Sequence, residues 1–180
     1  MSHLEHRAQA PTHVRCYVLT VSDTRTEETD GGGRTVIELL TAAGHTIVDR
    51  QIVKDEPDQV RATIATQLTK HEIQTIITTG GTGISSRDRS YEAVTELLEK
   101  RLTGFGELFR ALSFAEIGPA AMLSRAFAGT AGGKIIFGLP GSEHAVRLAL
   151  TKLIIPELGH LVREASRSFV RASPPPWSPR

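Results

Sequence analysis

The stretch at positions 80–88, GGTGISSRD, combines an open backbone with groups that could hold an anion or a metal ion. Gly80, Gly81 and Gly83 have no Cβ atom, so the backbone N–H groups of such a loop can approach a phosphate closely. The same glycines could instead serve only a tight exit from a strand. The pattern matches neither of the two commonest nucleotide-binding loops, GxxxxGK[ST] and GxGxxG, so both interpretations stay open.

Two aspartates point to a divalent cation. Asp88 adjoins the possible phosphate cradle, where a carboxylate repels the phosphate unless a cation lies between them. Asp55 follows a predicted strand and should open onto the same edge of the sheet. Because Mg²⁺ is commonly held by one or two carboxylates plus phosphate oxygens, the sequence predicts a Mg²⁺ site at Asp55 and Asp88. The alternative is that both are solvated loop acids that cap helices.

The chain offers no recognisable nucleophile. Ser85, Ser86 and Ser142 have no nearby histidine in a known nucleophile setting, and the seven histidines do not fall into metal-ligand spacing. Cys16 lies in the apolar run CYVLTV, which is typical of a buried structural thiol. If the protein is an enzyme, its substrate supplies the nucleophile, and the protein supplies positioning and electrostatics, as phosphoryl-type transfers require.

These loops need a framework, and the chain predicts one from alternating strands and helices. A nearly continuous apolar, β-branched run predicts a strand at 15–21, and the segments TIVDRQIV at 46–53 and QTIITT at 74–79 predict two more. Helical spacing or caps predict five helices. The first covers 34–43 and is followed by Gly44 in the left-handed conformation, the second begins at Pro57, and the third has Ser90 as its N-cap. The fourth covers 106–116, and the fifth begins near Ser142 and is bent or interrupted at Pro156.

The region 126–138 differs, because two short apolar runs flank a Gly-Gly pair and predict a hairpin or two consecutive strands. Together these elements predict an α/β fold, a three-layer αβα sandwich with a mainly parallel sheet and a small β-hairpin element. In such sheets, ligands bind beyond the carboxyl ends of the strands. The unusual loops fall at that edge.

Composition narrows the class of protein. A chain of 180 residues suits one domain, and 21 Lys plus Arg against 20 Asp plus Glu, a net charge of +1, gives no general attraction for nucleic acid or an anionic membrane. No apolar run approaches the roughly 20 residues that span a bilayer. The polar start and single cysteine lead us to expect a cytoplasmic protein. We expect a flexible segment at 1–13, a domain at 14–163 and a flexible proline-rich tail at 164–180.

Seven short motifs occur in a fixed order along the chain: VLTVSD at 18–23, AGH at 43–45, TTGGTG at 78–83, RD at 87–88, GFGELFRALSFAEIG at 104–118, LSRA at 123–126 and LPGS at 139–142. The ordered set, from about residue 14 to about 163, resembles the MoaB/Mog family of molybdenum cofactor biosynthesis proteins. The segment 104–118 resembles the MoaB branch more than the longer Mog proteins.

The resemblance implies a domain that binds molybdopterin in loops at the carboxyl edge of the sheet. Active family members are molybdopterin adenylyltransferases: with Mg²⁺ and ATP they place AMP on the molybdopterin phosphate and release pyrophosphate, before a separate protein inserts molybdate. Carried over by position, the phosphate loop corresponds to Gly80, Gly81, Thr82 and Gly83, the acids for Mg·ATP and catalysis to Asp55 and Asp88, the pterin pocket to Ser124, Pro140, Gly141 and Ser142, and two further loop acids to Asp23 and Asp30.

The resemblance also leaves alternatives. Some members of the MoaB branch have a non-acidic residue at the position of Asp55, and a non-catalytic oligomer that stores or passes on molybdopterin is the main alternative. The aspartate here favours activity. A CinA-like domain acting on nicotinamide-type nucleotides is a weaker alternative, against which the segments 104–118 and 123–126 argue. Family members form trimers or hexamers, so we expect a homotrimer or homohexamer.

Overall fold

The computed structural model describes residues 10–167, in which one six-stranded sheet has the order β2-β1-β3-β6-β5-β4. Its strands are β1 (Arg15–Val21), β2 (Thr46–Val53), β3 (Thr75–Thr79), β4 (Lys100–Arg101), β5 (Phe127–Ala131) and β6 (Lys134–Leu139). Strands β2, β1, β3 and β6 pair in parallel, whereas β5 pairs antiparallel with both β6 and β4. The mainly parallel sheet and the hairpin at the Gly-Gly pair are therefore confirmed.

Helices cover both faces of the sheet. They are α1 (Gly31–Ala42), α2 (Pro57–Thr69), α3 (Ser90–Thr95), α4 (Thr103–Ile117), α5 (Glu143–Ala149) and α6 (Ile155–Ser166). One buried apolar cluster joins the sheet to α1, α4, α5 and α6, and a second joins its other face to α2 and α3. This arrangement confirms the three-layer αβα sandwich.

Strand β1 shows why the sequence has a continuous apolar run there. Cys16 and Val18 pack into one cluster, while Tyr17, Leu19 and Val21 pack into the other, so both faces of the strand are buried. Burial raises the pKa of the Cys16 thiol to about 12. The prediction of a buried structural cysteine is confirmed.

Helix α1 begins three residues earlier than the sequence predicts, at Gly31 rather than at position 34. Glycines are poor helix formers, but here they allow a close approach: a Cβ atom on Gly32 would lie 2.9 Å from the backbone oxygen of Gly141. The start of α1 can therefore lie directly against the loop that follows β6. The left-handed Gly44 after the helix is confirmed, with φ of 87°.

The predicted N-cap role of Ser90 is wrong. The N-cap of α3 is Arg89, which makes no side-chain capping bond, and Ser90 is the buried first residue of the helix. Its hydroxyl instead donates to the carboxylate of Asp55, 2.9 Å away. Local sequence suggested a cap, whereas a partner 35 residues away determines the role of this side chain.

The last described helices follow the predicted pattern. A π turn, Leu150–Ile154, interrupts the last helical stretch just before Pro156, as predicted. Helix α6 reaches Ser166, three residues beyond the predicted domain boundary at 163. At the other boundary, His13 forms a hydrogen bond with the Thr46 hydroxyl at 2.8 Å. The remaining parts of the predicted flexible segments, 1–9 and 168–180, lie outside the described residues. Within 10–167, no helix has the length and hydropathy to cross a membrane.

Comparison of Gly44 with Gly80, in the loop after β3, separates the cost of a left-handed φ angle from the cost of close packing. Gly80 and Gly44 both have left-handed φ angles, 93° and 87°, but a Cβ atom on Gly80 would lie 2.1 Å from the oxygen of Val21, whereas one on Gly44 would meet nothing within 4 Å. We expect Gly44→Ala to lower the free energy of unfolding by about 1–2 kcal/mol, the cost of the left-handed conformation. Gly80→Ala should cost more, because the backbone must also shift. Urea denaturation measures both, and equal losses would contradict this packing.

Candidate functional site

A cleft of about 420 Å³ lies at the carboxyl edge of the sheet. It brings together eight residues that the sequence predicted for the site, namely Gly81, Thr82, Gly83, Asp88, Ser124, Pro140, Gly141 and Ser142. Its other wall comes from α4 and the turn after it, and this wall is mostly apolar, with Phe109, Ile117 and Leu123. The cleft therefore has a backbone-rich polar side and an apolar side.

The loops that follow β3 and β6 meet backbone to backbone. The N–H of Gly80 donates to the oxygen of Leu139 at 2.9 Å, and a Cβ atom on Gly141 would lie 3.5 Å from the Cα of Gly80. A Cβ atom on Gly81 would lie 2.4 Å from the Ser90 Oγ. Glycine is thus sterically required at Gly80 and Gly81, as the tight-exit interpretation predicted. The same loop also lines the cleft, so the two interpretations are compatible.

Asp55 lies beneath this loop and is only 7% exposed. Its Oδ1 accepts the hydrogen bond from Ser90, and its Oδ2 would be 2.9 Å from a Cβ atom on Gly81. Burial raises the pKa of Asp55; the Ser90 hydrogen bond opposes this rise, and the negative charges of Asp88 and Asp23 add to it. For Asp55 the alternative of a solvated helix cap is wrong, because the side chain is buried and the N-cap of α2 is Glu56.

Asp88 stands at the rim of the cleft and is half-buried. Its Oδ2 accepts a hydrogen bond from the N–H of Ser85 at 2.9 Å, which closes a short turn in the loop. Its Oδ2 would lie 2.7 Å from a Cβ atom on Gly83, just as Asp55 Oδ2 would lie 2.9 Å from one on Gly81, so the two carboxylates lie against the same glycine-containing loop. The structure thus brings together the two predicted acids.

The two carboxylates fit the chemistry of a hard cation. Asp55 is a buried carboxyl group beside other acids, whose negative charge a divalent ion would offset, and Asp88 lines the cleft. Mg²⁺ usually takes one or two protein carboxylates and completes its shell with phosphate and water oxygens. Residues 10–167 contain no group of three or more His, Cys, Asp or Glu side chains arranged around a possible metal position.

Asp23 is exposed and lies in an ion-pair network across three loops. Arg87 donates to Asp23 at 2.7 Å and to Glu56 at 3.3 Å, and the N–H of Asp55 donates to Asp23 Oδ1 at 3.2 Å. The hydrogen bond from Arg87 lowers the pKa of Asp23, with further help from the Asp55 N–H. Asp23 thus joins the loop after β1 to the two loops that carry Asp55 and Asp88.

Asp30 has a different place, inside the fold and outside the residues that line the cleft. Its carboxylate caps α1 at the N–H of Gly33, accepts from the Thr20 hydroxyl at 2.6 Å and pairs with Arg50 at 2.7 Å. Burial alone would raise the pKa of Asp30, but these hydrogen bonds outweigh it and lower the pKa. The structure gives Asp30 a role in holding α1 and β2, and a role in ligand binding stays a prediction.

A second cleft, of about 440 Å³, lies on the other side of the loop 82–89. Asp88 lines both clefts, and the second cleft also has the cationic side chains of Arg61, Arg89 and Arg125. Arg125 is a residue that the sequence did not single out. It follows Ser124 in the LSRA motif, and the loop carbonyls to which it donates lie 37 to 42 residues away along the chain.

Fold and cleft together define a three-layer α/β ligand-binding domain with glycine-containing loops and acids at the carboxyl edge of its sheet. A family model described as a probable molybdopterin binding domain matches residues 17–160. The molybdenum cofactor biosynthesis protein B of Bacillus anthracis is 51% identical over 168 residues, which are 93% of this chain and 99% of that protein.

Solved structures agree with these sequence matches. A crystal structure of a molybdenum cofactor biosynthesis protein B is 51% identical with a TM-score of 0.85, and the match covers 88% of this chain and 99% of that one. The tungsten cofactor synthesizing protein MoaB of Pyrococcus furiosus is 36% identical with a TM-score of 0.78, over 87% and 99% of the two chains. The chain belongs to the MoaB/Mog family, on the MoaB branch, as the ordered motifs predicted.

The raised pKa of Asp55 predicts a characteristic dependence of stability on pH. Folding raises this pKa above the ordinary value of 3.8, so ionisation of Asp55 opposes folding. The free energy of unfolding of the wild type should therefore fall as pH rises from 3.8 through the folded-state pKa. Asp55→Asn cannot ionise, so its stability should not fall in this way, and its amide oxygen can still accept the hydrogen bond from Ser90. We expect the variant to gain stability relative to the wild type between pH 4 and pH 7.5, measured by urea denaturation at several pH values. A constant difference across this range would contradict the assignment.

Proposed function

We propose that the protein acts in molybdenum cofactor biosynthesis as a Mg²⁺-dependent molybdopterin adenylyltransferase. One observation carries this proposal: Asp88 stands at the rim of a cleft whose polar wall is the backbone of two glycine-containing loops, and Asp55 is buried beneath one of these loops, outside the residues that line the cleft. The names of the relatives, molybdenum cofactor biosynthesis protein B and probable molybdopterin binding domain, support the biosynthetic role and the ligand.

The two sides of the cleft suit the two parts of molybdopterin. The apolar side chains of Phe109, Ile117 and Leu123 offer a surface for the pterin rings. The loops with Gly81 and Gly83 and with Gly141 offer backbone N–H groups to its terminal phosphate, which glycine allows to come close. The second cleft adjoins Asp88 and has the cationic side chain of Arg89, which suits a phosphate of ATP.

The reaction requires no nucleophile from the protein. An oxygen of the molybdopterin phosphate attacks the α-phosphorus of ATP, and a new P–O bond forms while the bond from that phosphorus to the bridging oxygen breaks. Pyrophosphate leaves, and the product is adenylylated molybdopterin. This accounts for the absence of a serine–histidine or cysteine–histidine pair among the predicted site residues, because the protein has only to align the two phosphates and offset their charge.

Asp55 and Asp88 are the residues that would hold Mg²⁺. When bound, the ion supplies positive charge that stabilises the departing pyrophosphate. Asp55 is held in place by Ser90, and Asp88 by the N–H of Ser85, so both carboxylates have fixed positions before ligands bind. The product would then pass to a separate molybdate-inserting protein. The proposal includes neither nucleic acid nor a membrane as a partner.

The proposal predicts that loss of either acid separates binding from turnover. Asp88→Asn and Asp55→Asn should bind molybdopterin within about threefold of the wild type, because the cleft walls are unchanged, while ATP-dependent pyrophosphate release should fall at least about 100-fold. Asp49→Asn is a matched control, because the Asp49 side chain is exposed on β2 and lines neither cleft. Titration of molybdopterin fluorescence and a coupled pyrophosphate assay measure the two quantities.

Two outcomes would decide against this mechanism. Full turnover by both variants would remove the metal role of the acids. Stoichiometric binding of molybdopterin by the wild type, with no pyrophosphate release at any Mg·ATP concentration, would favour the alternative of a non-catalytic carrier.

We also propose that the chain forms a homotrimer or homohexamer. Helix α4 and the turn after it also expose large apolar side chains that do not line the first cleft: Leu108, Phe114 and Met122 are 57%, 60% and 73% exposed. Several exposed large apolar side chains on one helix and the turn after it are typical of a protein–protein contact.

Sedimentation velocity tests this association. The wild type should sediment as a trimer or hexamer, and the double variant Phe114→Ser, Met122→Ser should shift toward the monomer, because it removes apolar surface without changing the core. Ala111→Ser, a small change on the same helix, is the control. A monomeric wild type at micromolar concentration would overturn the proposal.

A further inference from the structure

We propose that Arg125 is a positioning residue of this site: it holds the loop 82–88, and through the main chain it fixes Asp88 at the rim of the cleft. The inference rests on the proposed function for its catalytic consequence. Its structural part stands on the contacts of Arg125 alone.

Arg125 binds the loop at three backbone oxygens. Its Nε donates to the oxygen of Gly83 at 2.8 Å, its Nη2 donates to the oxygen of Asp88 at 2.7 Å, and its own backbone N–H donates to the oxygen of Thr82 at 3.2 Å. These three acceptors span the loop from its glycines to its aspartate. One side chain therefore fixes both ends of a segment whose intervening residues, 84–87, are exposed.

Arg125 is itself well anchored. Its guanidinium carbon lies 4.6 Å from the ring centroid of Tyr91, and this ring packs edge-on against Phe127, which belongs to the core. Its Nη1 donates to the carboxylate of Glu92. The guanidinium is thus held by an aromatic face and an acid on α3, which leaves its other donors directed at the loop.

The contact with Asp88 goes to the main-chain oxygen and not to the carboxylate. Arg125 can therefore fix the position of Asp88 without forming an ion pair with the group that is proposed to meet the metal. Lysine could not reproduce this arrangement, because one ammonium group cannot reach two carbonyl oxygens and a carboxylate in the planar geometry of a guanidinium. A simple need for positive charge would be met equally well by lysine.

Arg110 provides a matched control on the other side of the same segment. It donates to the backbone oxygens of Ser124 and Ala126, at 3.5 and 3.3 Å, and so supports the residues around Arg125. Within residues 10–167, Arg110 donates no hydrogen bond to the loop 82–88. Arg110→Met removes two hydrogen bonds to neighbours of Arg125 and should leave the side-chain bonds from Arg125 to the loop in place.

The first test is independent of activity. Hydrogen–deuterium exchange of the full-length protein, without ligand, is followed in peptides that cover 80–92 and, for comparison, β1. Arg125→Met and Arg125→Lys should speed exchange of the loop peptide at least about tenfold with β1 unchanged, because opening of the loop no longer breaks these bonds. Arg110→Met should exchange like the wild type in this loop. Wild-type exchange of the loop in Arg125→Met would overturn the proposal.

The second test is a double-mutant cycle with Asp88→Asn. If Arg125 acts through Asp88, Arg125→Met alone should lower kcat about 10- to 100-fold, the usual range for a residue that orients a ligand of a metal. In the Asp88→Asn background the same change should lower kcat by less than about threefold. Independent, multiplicative losses would contradict an action through Asp88.

The two tests separate the inference from the function on which it rests. If the wild type makes no adenylylated molybdopterin, the proposed function fails, but faster loop exchange in Arg125→Met together with weaker binding of molybdopterin would still support the positioning role. If the wild type is active and Arg125→Lys matches it in kcat and in loop exchange, the positioning role fails while the proposed function stands.

Discussion

The site depends on one constraint, the burial of the Asp55 carboxylate beneath the backbone of the loop that follows β3. Burial raises the pKa of this carboxyl group, so its ionisation opposes folding, and the negative charges of Asp88 and Asp23 raise the pKa further. The Ser90 hydroxyl and a network of loop contacts hold it in place nevertheless. A fold that maintains such an arrangement gives up stability at a position where a cation can restore it, which is a common property of functional sites.

Several local features follow from this constraint. Gly81 leaves space for both Asp55 and Ser90, and Gly80 passes close to the end of β1. The parallel order of β2, β1 and β3 brings the ends of these strands to one edge, so residues far apart in sequence meet there. Arg87 joins the three loops through Asp23 and Glu56, and Arg125, anchored on α3, holds the last of them.

The sequence predicted the framework because burial on both faces leaves a strong pattern: β1 is a nearly continuous apolar run, and the hairpin has its Gly-Gly pair. It also predicted most of the cleft through ordered motifs. It failed where a side chain has a distant partner. Ser90 looked like a cap because the local pattern cannot show Asp55, and Arg125 looked like any surface arginine because its acceptors are main-chain oxygens elsewhere in the chain. The start of α1 was misplaced because three glycines normally indicate a turn.

The most direct measurement of the central claim is a crystal structure of the protein with Mn²⁺ and a non-hydrolysable ATP analogue, with the ion located by anomalous scattering. The account predicts one anomalous peak at the carboxyl edge of the sheet, within about 2.5 Å of carboxylate oxygens from both Asp55 and Asp88 and of a phosphate oxygen. A nucleotide-bound ion that contacts neither carboxylate, or a nucleotide bound at another face of the domain, would contradict it.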